Sequence, residues 1–252
     1  MNKKRPITIS ITSGKGGVGK TSIAVNLAYA LMNQGHRVLL VDGDLGLANV
    51  DILLGISAQT TIRTVLDGEA DPLDAVLYLK PGLGILPASS GVPEMVSLGI
   101  DQQEKLTTLL SDITSHFDYV LVDTAAGIGS SVLWLNHFAS YNIVILTPDP
   151  TSLTDAYAII KTIFTQFDRT LFYIVLNLIR EPKEGQKAYE TLKKVANQFL
   201  NLELEYLGAI PEDKSVKEAV RQQTPFIQKA LRCPATRAIM LVAERIKNLR
   251  AD

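Results

Sequence analysis

Gly14-Lys15-Gly16-Gly17-Val18-Gly19-Lys20-Thr21 carries the strongest structural signal in this chain. The apolar, β-branched run 7–12 precedes it, and in 19–33 Ile23, Leu27, Ala30 and Leu31 recur at helical spacing. Strand, glycine-rich loop and helix in that order make Gly-x-x-x-x-Gly-Lys-Thr a phosphate loop rather than a plain turn. Glycines let the backbone fold so that several N–H groups point inward, and the helix N-terminus adds partial positive charge. Gly14, Lys15, Gly16, Gly17, Val18, Gly19 and Ser22 are therefore candidate nucleotide contacts. Lys20 is expected to reach the β- and γ-phosphates, and Thr21 to place its hydroxyl on Mg²⁺.

Outward from the loop, the strand-like run 37–42 ends in Asp42-Gly43-Asp44, two carboxylates one residue apart. They fall where ligands bind in open α/β sheets, and a carboxylate there holds Mg²⁺ or orients an attacking water. A second apolar run, 119–123, also ends in aspartate, and Asp123 is expected to support Mg²⁺. The small residues 124–129 that follow suit a loop whose amides sense the γ-phosphate, with Gly127 the candidate contact.

Further strands are expected at 83–87, 143–147, 172–177 and 204–210, and helices at 102–115, 130–138, 152–167, 186–199, 214–222 and 235–249. The alternation implies right-handed crossovers. The expected fold is a single-domain α/β P-loop NTPase over 1–252, with a mainly parallel twisted sheet and helices on both faces. Residues 58–81 are less regular and are expected to form an excursion at the sheet edge.

Composition narrows the function. The chain has 252 residues, 46% hydrophobic and 20% charged, with a formal net charge of -1, so bulk charge does not draw it to nucleic acid or anionic lipid. Cys233 is the single cysteine, which excludes an intramolecular disulfide and a cysteine-ligated cluster or zinc site. No signal-peptide core follows Lys3, Lys4 and Arg5, and no apolar run approaches a membrane span. A cytoplasmic location is expected. His36, His116 and His137 have no metal-ligand spacing, and Trp134 reads as packing.

An ordinary phosphate loop does not need Lys15. The pattern Lys-Gly-Gly-x-Gly-Lys-Thr resembles the deviant Walker A loop of the MinD/ParA ATPase family. The resemblance covers nearly the whole chain, and 42–51, 123–129 and 150–157 are most similar to its flagellar-number branch, FlhG/FleN. It implies that Lys15 crosses a dimer interface to the partner's phosphates, as an arginine finger does. Asp44 would position water, Asp42 would belong to the metal surroundings, and Asn49 would be a polar contact near the nucleotide. Asn177 would read the adenine edge, while Pro211 and Glu212 sit in the loop packed on the base. Asp149 occupies a position where the family often has Glu, which meets the partner's Lys or ribose. Lys15, Lys20 and Asp44 are the catalytic candidates, and ATP and Mg²⁺ the expected cofactors.

The implied activity is slow, partner-stimulated ATP hydrolysis coupled to homodimer formation, regulating flagellar number, placement and gene expression. An FlhF-like GTPase and a flagellar transcription activator are the implied partners. Recruitment to the cell pole or inner membrane face would be reversible. Alternatives are a DNA-segregation or division-site ATPase, and a nucleotide-gated regulator with negligible turnover. Direct nucleic-acid binding is not expected, because Lys183, Lys187, Lys193 and Lys194 read as a solvated helix face. Only residues 1–6 precede the first strand, so the GTPase-activating helix of some relatives is not expected here. The helix at 235–249 carries Ile239, Val242, Ala243 and Ile246 at core spacing rather than as a membrane-inserting face.

Overall fold

The computed structural model describes residues 5–44, 49–57, 60, 62–88 and 100–249. Leu45, Gly46, Leu47 and Ala48 of the aspartate-rich motif lie outside them.

Eight strands form one sheet in the order β3-β4-β2-β5-β1-β6-β7-β8. They are β1 (Ile7–Ser13), β2 (Val38–Gly43), β3 (Leu77–Lys80), β4 (Leu83–Leu86), β5 (Tyr119–Ala126), β6 (Tyr141–Leu146), β7 (Phe172–Ile179) and β8 (Leu204–Pro211). All neighbours pair in parallel except β3, which runs antiparallel to β4 at the edge. Every residue of β1 and β2 is buried, as strands covered on both faces require. The irregular stretch before β3 resolves into α3 (Ile62–Leu66) and a 3₁₀ turn (Pro72–Ala75), so the expected edge excursion is present among the described residues.

The helices divide between the faces. Ile7, Ile9 and Ile11 of β1 pack with α1 (Lys20–Asn33) and α10 (Pro234–Ile246). The opposite face carries α4 (Ile100–Thr114), α5 (Ser130–Phe138), α6 (Pro150–Phe167) and α7 (Pro182–Leu200) in two further clusters. Short α2 (Val50–Leu54), α8 (Lys214–Arg221) and α9 (Phe226–Lys229) flank the loop ends of the sheet.

Two helices refine the sequence reading. The spacing in α1 predicts a one-sided apolar stripe, yet Ile23 through Leu31 are all buried. The added cover is α10, which lies against α1 and places Ile239, Val242, Ala243 and Ile246 in the same core. These four therefore pack inward as expected, and no described helix is long and apolar enough to cross a membrane. Cys233 is partly buried but not merely apolar filler: its Sγ accepts the Thr236 N–H as the N-cap of α10.

The sheet order locates the site. From β1 the chain runs through α1 to β2 on one side, whereas β6, β7 and β8 lie on the other. Strand order thus reverses at β1, and the crevice beyond its carboxyl end is where open α/β sheets bind ligands.

Candidate functional site

The phosphate loop leaves β1 at that reversal and enters α1. Gly14 is required by a close approach: a Cβ there would lie 2.0 Å from the backbone oxygen of Asp155 in α6. Gly19 has φ +89°, and a Cβ would lie 2.4 Å from Nδ2 of Asn177. That amide donates to the Val18 carbonyl at 2.7 Å, so Asn177 on β7, two strands from β1 in the same sheet, pins the loop.

An open cleft of about 760 Å³ is lined by Lys15 through Ser22 together with Asp44, Asn49 and Ala126. The structure thereby brings the phosphate loop to the carboxylates expected to work on its ligand. Beside it lies an apolar pocket of about 380 Å³, whose lining includes Asn177, Pro211 and Glu212 as well as Gly17, Gly19 and Ser22. Lys15 and Asp149 line a third recess on the outer side of the loop. Gly127 has φ +94° and donates its N–H to the Ser13 carbonyl at 2.9 Å, so its segment is tied to the strand carrying the phosphate loop.

Charge is concentrated beneath the cleft. Lys20 Nζ contacts Asp123 Oδ1 at 2.9 Å, and the carboxylate is fully buried. Burial pushes the Asp123 carboxyl up, opposed by the Lys20 charge and by hydrogen bonds from Thr21 and Lys20. Asp42 stands in register with Asp123 on the adjacent strand. Its carboxyl is pushed up to about 7, first by burial and then by the Asp123 charge, against the pull of amides from Val50, Asn49 and Asp44.

Those amides qualify the expected role of Asp42. Oδ1 accepts from Asp44 N at 3.1 Å, and Oδ2 from Asn49 N at 3.0 Å and Val50 N at 3.1 Å. Asp42 thus clamps both ends of the segment that presents Asp44 and Asn49. Asn49 Nδ2 in turn donates to Asp44 Oδ2 at 3.1 Å.

The donor set suits Mg²⁺, a hard cation that takes one or two protein oxygens and completes its shell with phosphates and water. Asp123 Oδ2 and Ser22 Oγ are buried without a hydrogen-bond partner among the described residues, and Thr21 lies within hydrogen-bond reach of Asp123. An orphaned carboxylate oxygen beside a threonine hydroxyl is what an ion bound jointly with phosphates would satisfy.

Lys15 Nζ lies 2.9 Å from Asp149 Oδ1 and 2.6 Å from Thr151 Oγ1 within its own chain. Asp149 also caps α6 through Ser152 N, and the hydroxyls of Thr147 and Thr151, then Lys15, hold its carboxyl well below the usual range. With side chains 39% and 43% exposed, the pair is the weak, exchangeable kind of ion pair.

Several lining residues have no local motif. Val216, Val220 and Phe226 wall the apolar pocket, and Asp213 caps α8 by accepting from Ser215 N. Arg180 and Lys217 share Glu212 across its rim at 3.4 and 2.7 Å. Only the Val216/Val220 spacing could have flagged an apolar helix face, which here lines the pocket rather than the core. Lys183, Lys187 and Lys194 are exposed on α7, and Lys193 pairs with Glu203. Trp134 stacks on Phe138, as a packing residue does.

Residues 5–247 match the ParA family model described as NUBPL iron-transfer P-loop NTPase. The chain is 41% identical over 247 residues to the antiactivator FleN of Pseudomonas aeruginosa, covering 98% of this chain and 88% of that protein. It is 40% identical over 225 residues to the flagellum site-determining protein YlxH of Helicobacter pylori, covering 88% and 75%. Among solved structures, the septum site-determining protein MinD of Pyrococcus horikoshii, complexed with Mg-ADP, superposes with a TM-score of 0.78 at 26% identity, covering 95% of each chain.

Proposed function

Because this chain belongs to the ParA family of P-loop NTPases, we propose that it is an ATP-driven dimerising switch that regulates flagellar number or placement and flagellar gene expression. The observation that carries the reading is the cleft in which Lys15, Lys20, Thr21 and Asp44 converge. The flagellar role rests on the likeness to FleN and YlxH, and the preference for Mg²⁺ and nucleotide is supported by the Mg-ADP complex of the MinD relative. Iron transfer is not carried over, since Cys233 is the single cysteine.

Adenine selection follows from Asn177. The Val18 atom in contact is the carbonyl oxygen, so Nδ2 must face it, and Oδ1 remains as an acceptor at the pocket that Asn177 lines. An acceptor suits the exocyclic amine of adenine and repels the carbonyl of guanine. Pro211 and Val216 supply apolar faces for the ring.

In the proposed reaction Lys20 exchanges its contact with Asp123 for the β- and γ-phosphate oxygens. Asp44, presented by the Asp42 clamp, orients a water toward the γ-phosphorus. The water oxygen bonds to phosphorus as the bond to the β–γ bridging oxygen breaks; that bond's electron pair leaves with ADP, and the water proton passes to the inorganic phosphate released. Mg²⁺, held through Thr21 and Asp123, supplies charge neutralisation on the phosphates when bound. Lys15 leaves Asp149 and reaches the phosphates of a second copy, so each site is completed by its partner.

Residues 1–252 act as one nucleotide-binding unit in this account. The protein works in the cytoplasm with reversible recruitment to the cell pole or inner membrane face. Its partners are an FlhF-like GTPase and a flagellar transcription activator. Light scattering with ADP and with ATP, for wild type and Asp44→Ala, tests the switch. ATP should give a dimer that persists in Asp44→Ala. Monomers in both proteins under ATP would overturn the reading.

A further inference from the structure

A parallel strand buried on both faces is ordinarily apolar on both. On β1, the face toward α5 carries Ser10 and Thr12, each fully buried, while Ile9 and Ile11 fill the other. Apolar groups of the same shape can replace such a network at little cost to stability, so stability does not by itself require it. Its geometry gives another reason.

The β1–β5 ladder loses register at this point. Ile11 faces Asp123, but Ser13 faces Ala126, so β5 carries one extra residue opposite Thr12. Such a bulge bends a strand and re-aims its side chains, often beside an active site. The Thr12 and Thr124 hydroxyls lie 3.1 Å apart across it. Thr12 Oγ1 also accepts from Asn136 Nδ2 of α5 at 3.2 Å. Asn136 Oδ1 is held by Ser10 at 2.8 Å and Asn142 at 3.2 Å, which fixes the amide with its nitrogen toward Thr12.

Thr124 directly follows Asp123, and α5 begins directly after the segment 124–129 that contains Gly127. Both flanks of the expected γ-phosphate-sensing segment therefore converge on one hydroxyl, two residues before Gly14. We propose that Thr12 is a positioning residue for hydrolysis, locking the segment 124–129 and the adjacent Asp123 in register with the phosphate loop. Thr12 is fully buried and lines neither the cleft nor the apolar pocket, so it acts through Thr124 and Asn136. The proposal rests on the ATP-hydrolysis reading above.

Thr12→Val keeps the β-branched shape and removes the shared hydroxyl, whereas Thr12→Ser keeps the hydroxyl. Steady-state ATP turnover, ADP affinity and Tm are measured for both, for Thr124→Val, and for wild type and Asp44→Ala. Thr12→Val should lower kcat about tenfold, equal to about 1.4 kcal/mol of barrier, with KM and ADP affinity within about twofold. Thr12→Ser should restore kcat to within about twofold, and Thr124→Val should reproduce the Thr12→Val defect from the loop side. A folded Thr12→Val with wild-type kcat, or with KM and ADP affinity failing in step with kcat and Tm, would overturn the proposal alone. So would a Thr12→Ser as impaired as Thr12→Val. Should Thr12→Val not fold, Thr124→Val decides by the same criteria. Wild-type turnover no faster than Asp44→Ala would instead overturn the hydrolysis reading, and this proposal with it.

Discussion

Asp42→Asn isolates the charge stored under the cleft. Asp42 is fully buried, in register with Asp123, and its carboxyl is raised from the ordinary 3.8 to about 7 by burial and by that neighbour. The folded-state value exceeds the unfolded one, so the native protein holds this proton more tightly than the unfolded chain. The associated stability is present in full below about pH 4 and lost as pH rises through about 7. The whole displacement is worth about 4 kcal/mol, of which about 2.5 kcal/mol falls between pH 5 and 8. Asparagine does not titrate, so the variant lacks this decline. It also turns an amide NH₂ toward at least one of the N–H groups of Asp44, Asn49 and Val50, a mismatch of about 1–3 kcal/mol independent of pH. Urea unfolding of the nucleotide-free proteins at pH 5, 6, 7 and 8 reads both effects. Asp123 remains in each protein and contributes in the same direction, and because the two carboxyls are coupled the difference reports on the pair. The variant should gain about 2.5 kcal/mol relative to wild type from pH 5 to pH 8. Parallel stability profiles would refute the electrostatic reasoning.

Gly14→Ala places a methyl group against helix backbone rather than a movable side chain, and should destabilise the protein by about 1–3 kcal/mol with loss of ATP binding, read by thermal melts and titration. Lys20→Met leaves Asp123 buried without its partner and should lose about 3–5 kcal/mol in urea, while adding Asp123→Asn should recover stability but not nucleotide affinity. Lys15→Met should leave ADP binding unchanged while abolishing the ATP-dependent dimer in light scattering. Asp149→Ala removes the α6 cap and should lower stability by about 1 kcal/mol in urea unfolding.

Local chemistry made much of this legible in the sequence. The phosphate loop, the apolar runs that lead into Asp42 and Asp123, and the alternation of apolar runs with helices all express backbone rules acting over a few residues, although β5 continues past Asp123 to Ala126. What escaped depends on distant partners. The all-round burial of α1 needs α10 more than two hundred residues away. Asp42 reads as a metal-side carboxylate, but the return of the chain at Asn49 and Val50 supplies the amides it holds. Asn177 reads as a base contact, while its hold on Val18 appears only when β7 lies beside the loop. Thr12 looked like one more β-branched strand residue, because its role depends on a bulge in a strand encoded over a hundred positions later.

Phosphate release by the purified chain with ATP and Mg²⁺, wild type against Asp44→Ala, shows whether Asp44 drives hydrolysis in the cleft. Turnover in wild type should depend on Mg²⁺ and be lost in Asp44→Ala, with ATP still bound by both. Equal rates in the two proteins would contradict that role.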